Sequence, residues 1–144
     1  MNIMLKLTFK LGKYLSFILI LIFLNSCSSK DSVFNTELNQ LLNSSKSNDI
    51  NARQKKIFDE LYGWEKAKKQ GMEYCQMLNK GISKDEIRSH NIATGLELIS
   101  QGKLTPEESA DIDIINISIE LAAQKSYCPD HRDVGQIPLK DRLK

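Results

Sequence analysis

The residues with the greatest capacity for chemistry stand near the end of the chain, in the run Ser-Tyr-Cys-Pro-Asp-His from Ser126 to His131. Cys128 lies three residues before His131, and the other thiol and imidazole groups are Cys27, Cys75 and His90. Three readings of Cys128 stay open at this point: a metal ligand, a reactive thiol, or half of a disulfide. A structural zinc site takes four ligands, usually in two close pairs, and Cys75 has no such neighbour. Haem attachment uses Cys-x-x-Cys-His, which the chain lacks. A redox pair normally sits as Cys-x-x-Cys, and a nucleophilic Cys needs an oriented His and an oxyanion site. The sequence has no Gly-x-Ser-x-Gly, no phosphate loop and no paired-His hydrolase motif. Asp111 and Asp113 are too near each other for a glycosidase pair and are expected to dress a helix surface. No catalytic residue, metal or cofactor is therefore assigned. A small enzyme or metal-binding protein using His90, His131 and the cysteines stands as the alternative.

The compartment bears on the cysteines, and the start of the chain speaks to it. Lys6, Lys10 and Lys13 precede the apolar run Leu15–Leu24, with no acidic residue among them. Ten apolar residues suit a signal-peptide core and fall short of the roughly 20 that cross a bilayer as a helix. The run ends in Leu24-Asn-Ser-Cys27, which resembles the lipobox of bacterial lipoproteins. That resemblance implies cleavage before Cys27, lipidation of its thiol and a membrane anchor of several acyl chains, each buried CH₂ contributing about 0.8 kcal/mol. Asn25 departs from the small or aliphatic residue usual at that place. Ser28, where many retained lipoproteins carry Asp, points to the periplasmic side of the outer membrane if the cell has two membranes.

Removing such a signal alters the charge. Three of the 20 Lys and Arg residues lie before Cys27, leaving 17 against 18 Asp and Glu. A net charge of −1 offers nothing to nucleic acid. The partners expected are the membrane, through Cys27, and an envelope protein or cell-wall polymer.

With Cys27 taken by the lipobox, Cys75 and Cys128 remain. In an exported chain an even remainder reads first as a bridge. It would close a loop of roughly 54 residues, worth about 4 kcal/mol in the chain-entropy account.

The elements that must bring these two together follow from helical periodicity. Residues 28–51 are rich in Ser, Asn and Lys and read as a polar tether. It carries one apolar island, Val33, Phe34, Leu38, Leu41 and Leu42, at helical spacing; two or three turns there could dock elsewhere, since a helix that short is marginal alone. Ile57, Leu61, Trp64, Met72, Cys75 and Leu78 then recur at helical steps. Gly63 and Gly71 stand where this helix would bend or divide, and Gly81 closes it. Trp64 reads as core from its spacing. With Tyr62, Lys66, Lys68 and Lys69 it also forms a candidate contact patch. Ser83-Lys-Asp-Glu86 is a capping box, opening a helix whose apolar stripe is Ile92, Leu96 and Ile99, supported by Ile87 and Ala93 and ended by Gly102. Thr105-Pro-Glu-Glu108 opens another. Residues 111–121 alternate as a strand would, yet Ile112, Ile115, Ile119 and Ala122 also make a helical stripe, so one helix is expected over about 106–127. Pro129 stops it.

These readings give an all-α fold: a small bundle of three to four helices stapled by one disulfide. The expected organisation is a lipoprotein signal at 1–26, a lipid-anchored polar tether at 27–51, a helical domain at 52–131 and a flexible tail at 132–144.

The arrangement Tyr74-Cys75, Leu78, Gly81, Ile82, Ser83, then Leu104-Thr105, Glu108 and Ala110, and finally Tyr127-Cys128-Pro129 with His131 resembles domain of unknown function 732, a small exported helical family. The resemblance spans 74–131. It implies an all-helical fold with Cys75 bonded to Cys128, and supplies no activity. The lipobox, the long tether and the lysine-rich helix upstream depart from that family's pattern.

Overall fold

Short-range signals place the two C-terminal helices. The Ser83 side chain accepts a hydrogen bond from the Glu86 backbone N–H, and Thr105 with Glu108 forms a complete capping box behind Pro106. Gly81 and Gly102 take positive φ, 86° and 66°, just past the ends of their helices. There the N–H groups of Ile82 and Lys103 reach back to the carbonyls of Met77 and Leu98, a closure that favours glycine at the turn.

The computed structural model describes residues 29–133 and 135. The signal region, Cys27 and most of the tail expected at 132–144 lie outside them. Of the unit formed by residues 1–32, only 29–32 are described, and these are helical. The second unit begins at Val33. Its elements are α1 (residues 33–42), α2 (Asn48–Leu61), α3 (Gly63–Asn79), α4 (Lys84–Ser100), α5 (Pro106–Ser126) and a 3₁₀ turn at Pro129–His131. Among the described residues no strand occurs. The fold is all-α, and the disulfide joins Cys75 to Cys128 with Cα atoms 5.7 Å apart.

The helix α5 is the hub. α2, α3 and α4 each pack on it. The core gathers Phe34 and Leu38 of α1, Phe58 of α2, Tyr74, Cys75 and Leu78 of α3, and Ile115, Ile119, Ala122 and Ala123 of α5.

Three expectations change. First, residues 33–42 are core, not tether: Phe34 and Leu38 are fully buried, and the Phe34 ring stacks on Tyr127 at 5.2 Å. The domain therefore begins well before residue 52. Polar neighbours masked this in the sequence, because a short helix gains its stability from the surface it docks on. Second, the stripe read along α2 and α3 holds at Cys75 and Leu78, which are buried, and fails at three other positions. Leu61, Trp64 and Met72 are exposed, and Phe58, Ala67 and Tyr74 are buried instead. A single stripe presumes one continuous helix, whereas the chain breaks at Gly63, φ 66°, and the two helices are separate elements. Gly71 stays inside α3, where a Cβ would stand 2.9 Å from the Phe34 ring. Third, Ile92 and Leu96 of α4 face outward, and Ile87 is the buried residue of that helix.

Candidate functional site

Cys75 and Cys128 are both buried and bonded to each other. His131 donates from Nε2 to Asn79 Oδ1 at 2.8 Å, tying the 3₁₀ turn to the end of α3. His90 is exposed on α4. Among the described residues no group of three or more His, Cys, Asp or Glu side chains is placed to hold a metal ion.

The lysine-aromatic patch is brought together only in part. Tyr62 and Trp64 both pack on Phe58, with ring centroids at 6.2 and 5.2 Å. The Tyr62 hydroxyl donates to Asn116 Oδ1 at 2.9 Å. Lys66 donates to the Leu61 carbonyl and lies 5.5 Å from the Tyr62 ring centre. Lys68 pairs with Glu65 at 2.6 Å, and Lys69 approaches Glu73 at 3.8 Å. Lys66 thus ties the start of α3 to the end of α2, whereas the Lys68 and Lys69 pairs lie within α3, where exposed pairs of this spacing contribute about 0.3–0.5 kcal/mol.

What the sequence did not reveal is a line of buried polar groups along α5. Asp111, expected at a surface, is buried and bound by the Arg53 guanidinium and by Gln54 Nε2, 3.4 Å away. Asn116 Oδ1 accepts from both Tyr62 and Gln70. Gln124, fully buried, donates to the Tyr74 hydroxyl at 2.8 Å and accepts from Lys84 Nζ at 3.2 Å. Lys84 also binds Asp133 at 2.6 Å. Burial pushes the Tyr74 hydroxyl up to about 12, with the nearby Glu120 charge adding to the effect. Glu120 is 3 % exposed and accepts from Arg88 Nε at 3.2 Å. Burial raises its pKa, and the Arg88 hydrogen bond and charge oppose that shift. Each of these α5 groups thus has a partner, as burial requires. The signal in the sequence was the same alternation that imitated a strand: polar residues fall on more than one face of a helix whose neighbours crowd it.

Between α4 and α5 lies a cleft of about 150 Å³. Arg88 and Asn91 on α4 and Asp113, Asn116 and Glu120 on α5 line it, with Ile92 facing Ile117 across it. Asp113 has no hydrogen-bond or ion-pair partner among the described residues, and partial burial alone raises its pKa. Of its lining, Ile92 and Ile117 are 52 % and 40 % exposed, and Leu96 at 62 % and Ile114 at 45 % lie about one turn further along the same helices. Scattered apolar residues are ordinary on a surface, whereas a contiguous set marks an interaction site. The geometry offers an apolar surface with an acidic group, Asp113, in its lining and no convergent set of acid, base and nucleophile among the described residues.

No protein-family model matches the chain, and no curated protein or solved structure matches it.

Proposed function

We propose that the chain is a lipid-anchored cell-envelope protein whose small, disulfide-stapled helical domain binds a partner in the periplasm. The observation that carries the binding role is the set of exposed aliphatic residues on neighbouring helices α4 and α5, a distribution suited to recognition. The export reading rests on the basic, apolar and lipobox segments of residues 1–27. It draws support from a disulfide between Cys75 and Cys128, since such bonds persist in oxidising compartments. Among the described residues no helix is long and apolar enough to cross a membrane, so in this reading Cys27 carries the attachment. Kinship with domain of unknown function 732 is part of the same proposal, on the paired Cys and the helices between them.

The test is fractionation and acyl labelling of cells expressing Cys27→Ala. Release from membranes with loss of label is the expected result. Retention of the variant in uncleaved form would replace the lipid anchor with a signal anchor. Crosslinking in intact cells, followed by identification of captured envelope proteins, tests the binding role.

A further inference from the structure

The helix α5 carries apolar side chains on two faces. One, with Ile115 and Ile119, enters the core. The other, with Ile114, Ile117 and Leu121 at steps of three and four, is wholly or partly exposed. On α4 the row Ile92, Leu96 and Ile99 has the same helical spacing and lies at the surface. The two helices run antiparallel: Arg88 meets Glu120, and at the other end Gly95 sits so close to Ser109 that a Cβ would stand 2.8 Å from its Oγ. Ile92 and Ile117 share the cleft. Leu96 follows Ile92, and Ile114 precedes Ile117, in the same direction along the seam. The result is an apolar trough between two helices.

We propose that this trough is the docking site for one amphipathic helix of a partner protein, bearing a Lys or Arg beside its aliphatic face. This deepens the binding reading given above and rests on it. A helix is the fitting occupant because the trough is itself a groove between helical rows spaced three and four residues apart, which receives another helix's ridge. The cation follows from charge. Asp113 lines the cleft without a partner, while Arg88, the cation that shares the cleft, is bonded to Glu120. An occupant that covered Ile92 and Ile117 would also cover Asp113, and a carboxylate buried without a counter-charge is strongly unfavourable. The occupant must therefore bring its own cation. A second copy of this chain fits less well, because the cation on its matching face is again Arg88, already engaged.

The probe is a synthetic helical peptide of about 18 residues, five turns, with Leu along one stripe flanked by Lys. A twin carries Glu in place of Lys. Both are titrated against the full-length chain in lipid nanodiscs by fluorescence anisotropy. The Lys peptide binds and the Glu twin does not. Ile117→Asp and Leu96→Asp abolish binding while leaving the circular dichroism spectrum unchanged, since both positions are exposed. Asp113→Asn weakens the Lys peptide about tenfold and narrows its advantage over the twin. Equal binding by Ile117→Asp, a preference for the Glu twin, or no binding at all overturns the proposal. So does sedimentation that shows the chain alone pairing through Ile117, which would assign the trough to a second copy. Anchoring is read separately from Cys27→Ala, so loss of peptide binding with anchoring intact defeats this proposal and spares the lipoprotein reading.

Discussion

The Phe34 ring occupies space that the missing side chain at Gly71 leaves open: a Cβ there would stand 2.9 Å from Cε2 of the ring and 3.2 Å from the Ala123 methyl. One contact thus ties α1, α3 and α5 together. Gly71→Ala would gain about 1 kcal/mol of helix propensity, but Phe34 is fully buried and its ring has little freedom to move. The substitution is expected to destabilise. Phe34→Ala is expected to cost about 3–5 kcal/mol. In a double-mutant cycle by urea denaturation, Phe34→Leu should cost less in the Gly71→Ala background than alone. Additive effects would mean that the ring does not depend on the glycine.

The disulfide spans 53 residues of sequence, and in the chain-entropy account it contributes about 4 kcal/mol. Non-reducing peptide mapping should recover the Cys75 and Cys128 peptides joined. Cys128→Ser should lower the melting temperature to that of the reduced chain. Two free thiols in the isolated protein would remove the staple.

The adjacent isoleucines Ile114 and Ile115 on α5 should behave oppositely. Ile115 is fully buried and Ile114 is 45 % exposed. Ile115→Ala is expected to cost about 2–5 kcal/mol, and Ile114→Ala to stay within about 0.5 kcal/mol of the parent. Equal losses in chemical denaturation would show that the outward face of α5 is covered in the isolated protein.

Two carboxylates should give opposite pH dependences. Burial holds the Glu120 pKa above its ordinary range. The stability linked to it is then fully present below its unfolded pKa and is lost as pH rises through the higher folded value. Thermal melts of Glu120→Gln should gain on the parent as pH rises from acid toward neutrality. Glu108 is held below its ordinary range by the Thr105 backbone N–H and hydroxyl. Its contribution is present above the unfolded pKa and is lost as pH falls through the folded value, so Glu108→Gln should lose most at neutral pH and converge with the parent in acid. Curves that run parallel to the parent at every pH would contradict either assignment.

The buried pair on the other side of α5 gives a further measurement. Asp111 is buried against Gln54, itself buried, and a half-exposed Arg53. Asp111→Ala leaves the Gln54 amide without that acceptor and should cost about 1–3 kcal/mol. Arg53→Ala also removes the charge that compensates Asp111, so it too should destabilise, by hydrogen exchange or denaturation. A neutral Asp111→Ala would show that Gln54 finds water in place of the carboxylate.

What could be read without coordinates was local in origin. Ser83, Thr105 and Glu108 open their helices, Gly81 and Gly102 close theirs, and Pro129 ends α5, because each acts on backbone groups within a few residues. The pairing of Cys75 with Cys128 was accessible by count, once Cys27 was assigned to the lipobox. The tertiary structure decided which apolar face went inside. Phe34 is buried although its surroundings look like a tether; Leu61, Trp64 and Met72 are exposed although their spacing looks like a core. Asp111 is buried because Arg53, 58 residues away, meets it there. Periodicity states that a helix has a stripe, whereas burial depends on where the other helices lie. That is a property of contacts between distant residues, and on α4 and α5 those contacts leave an apolar trough at the surface.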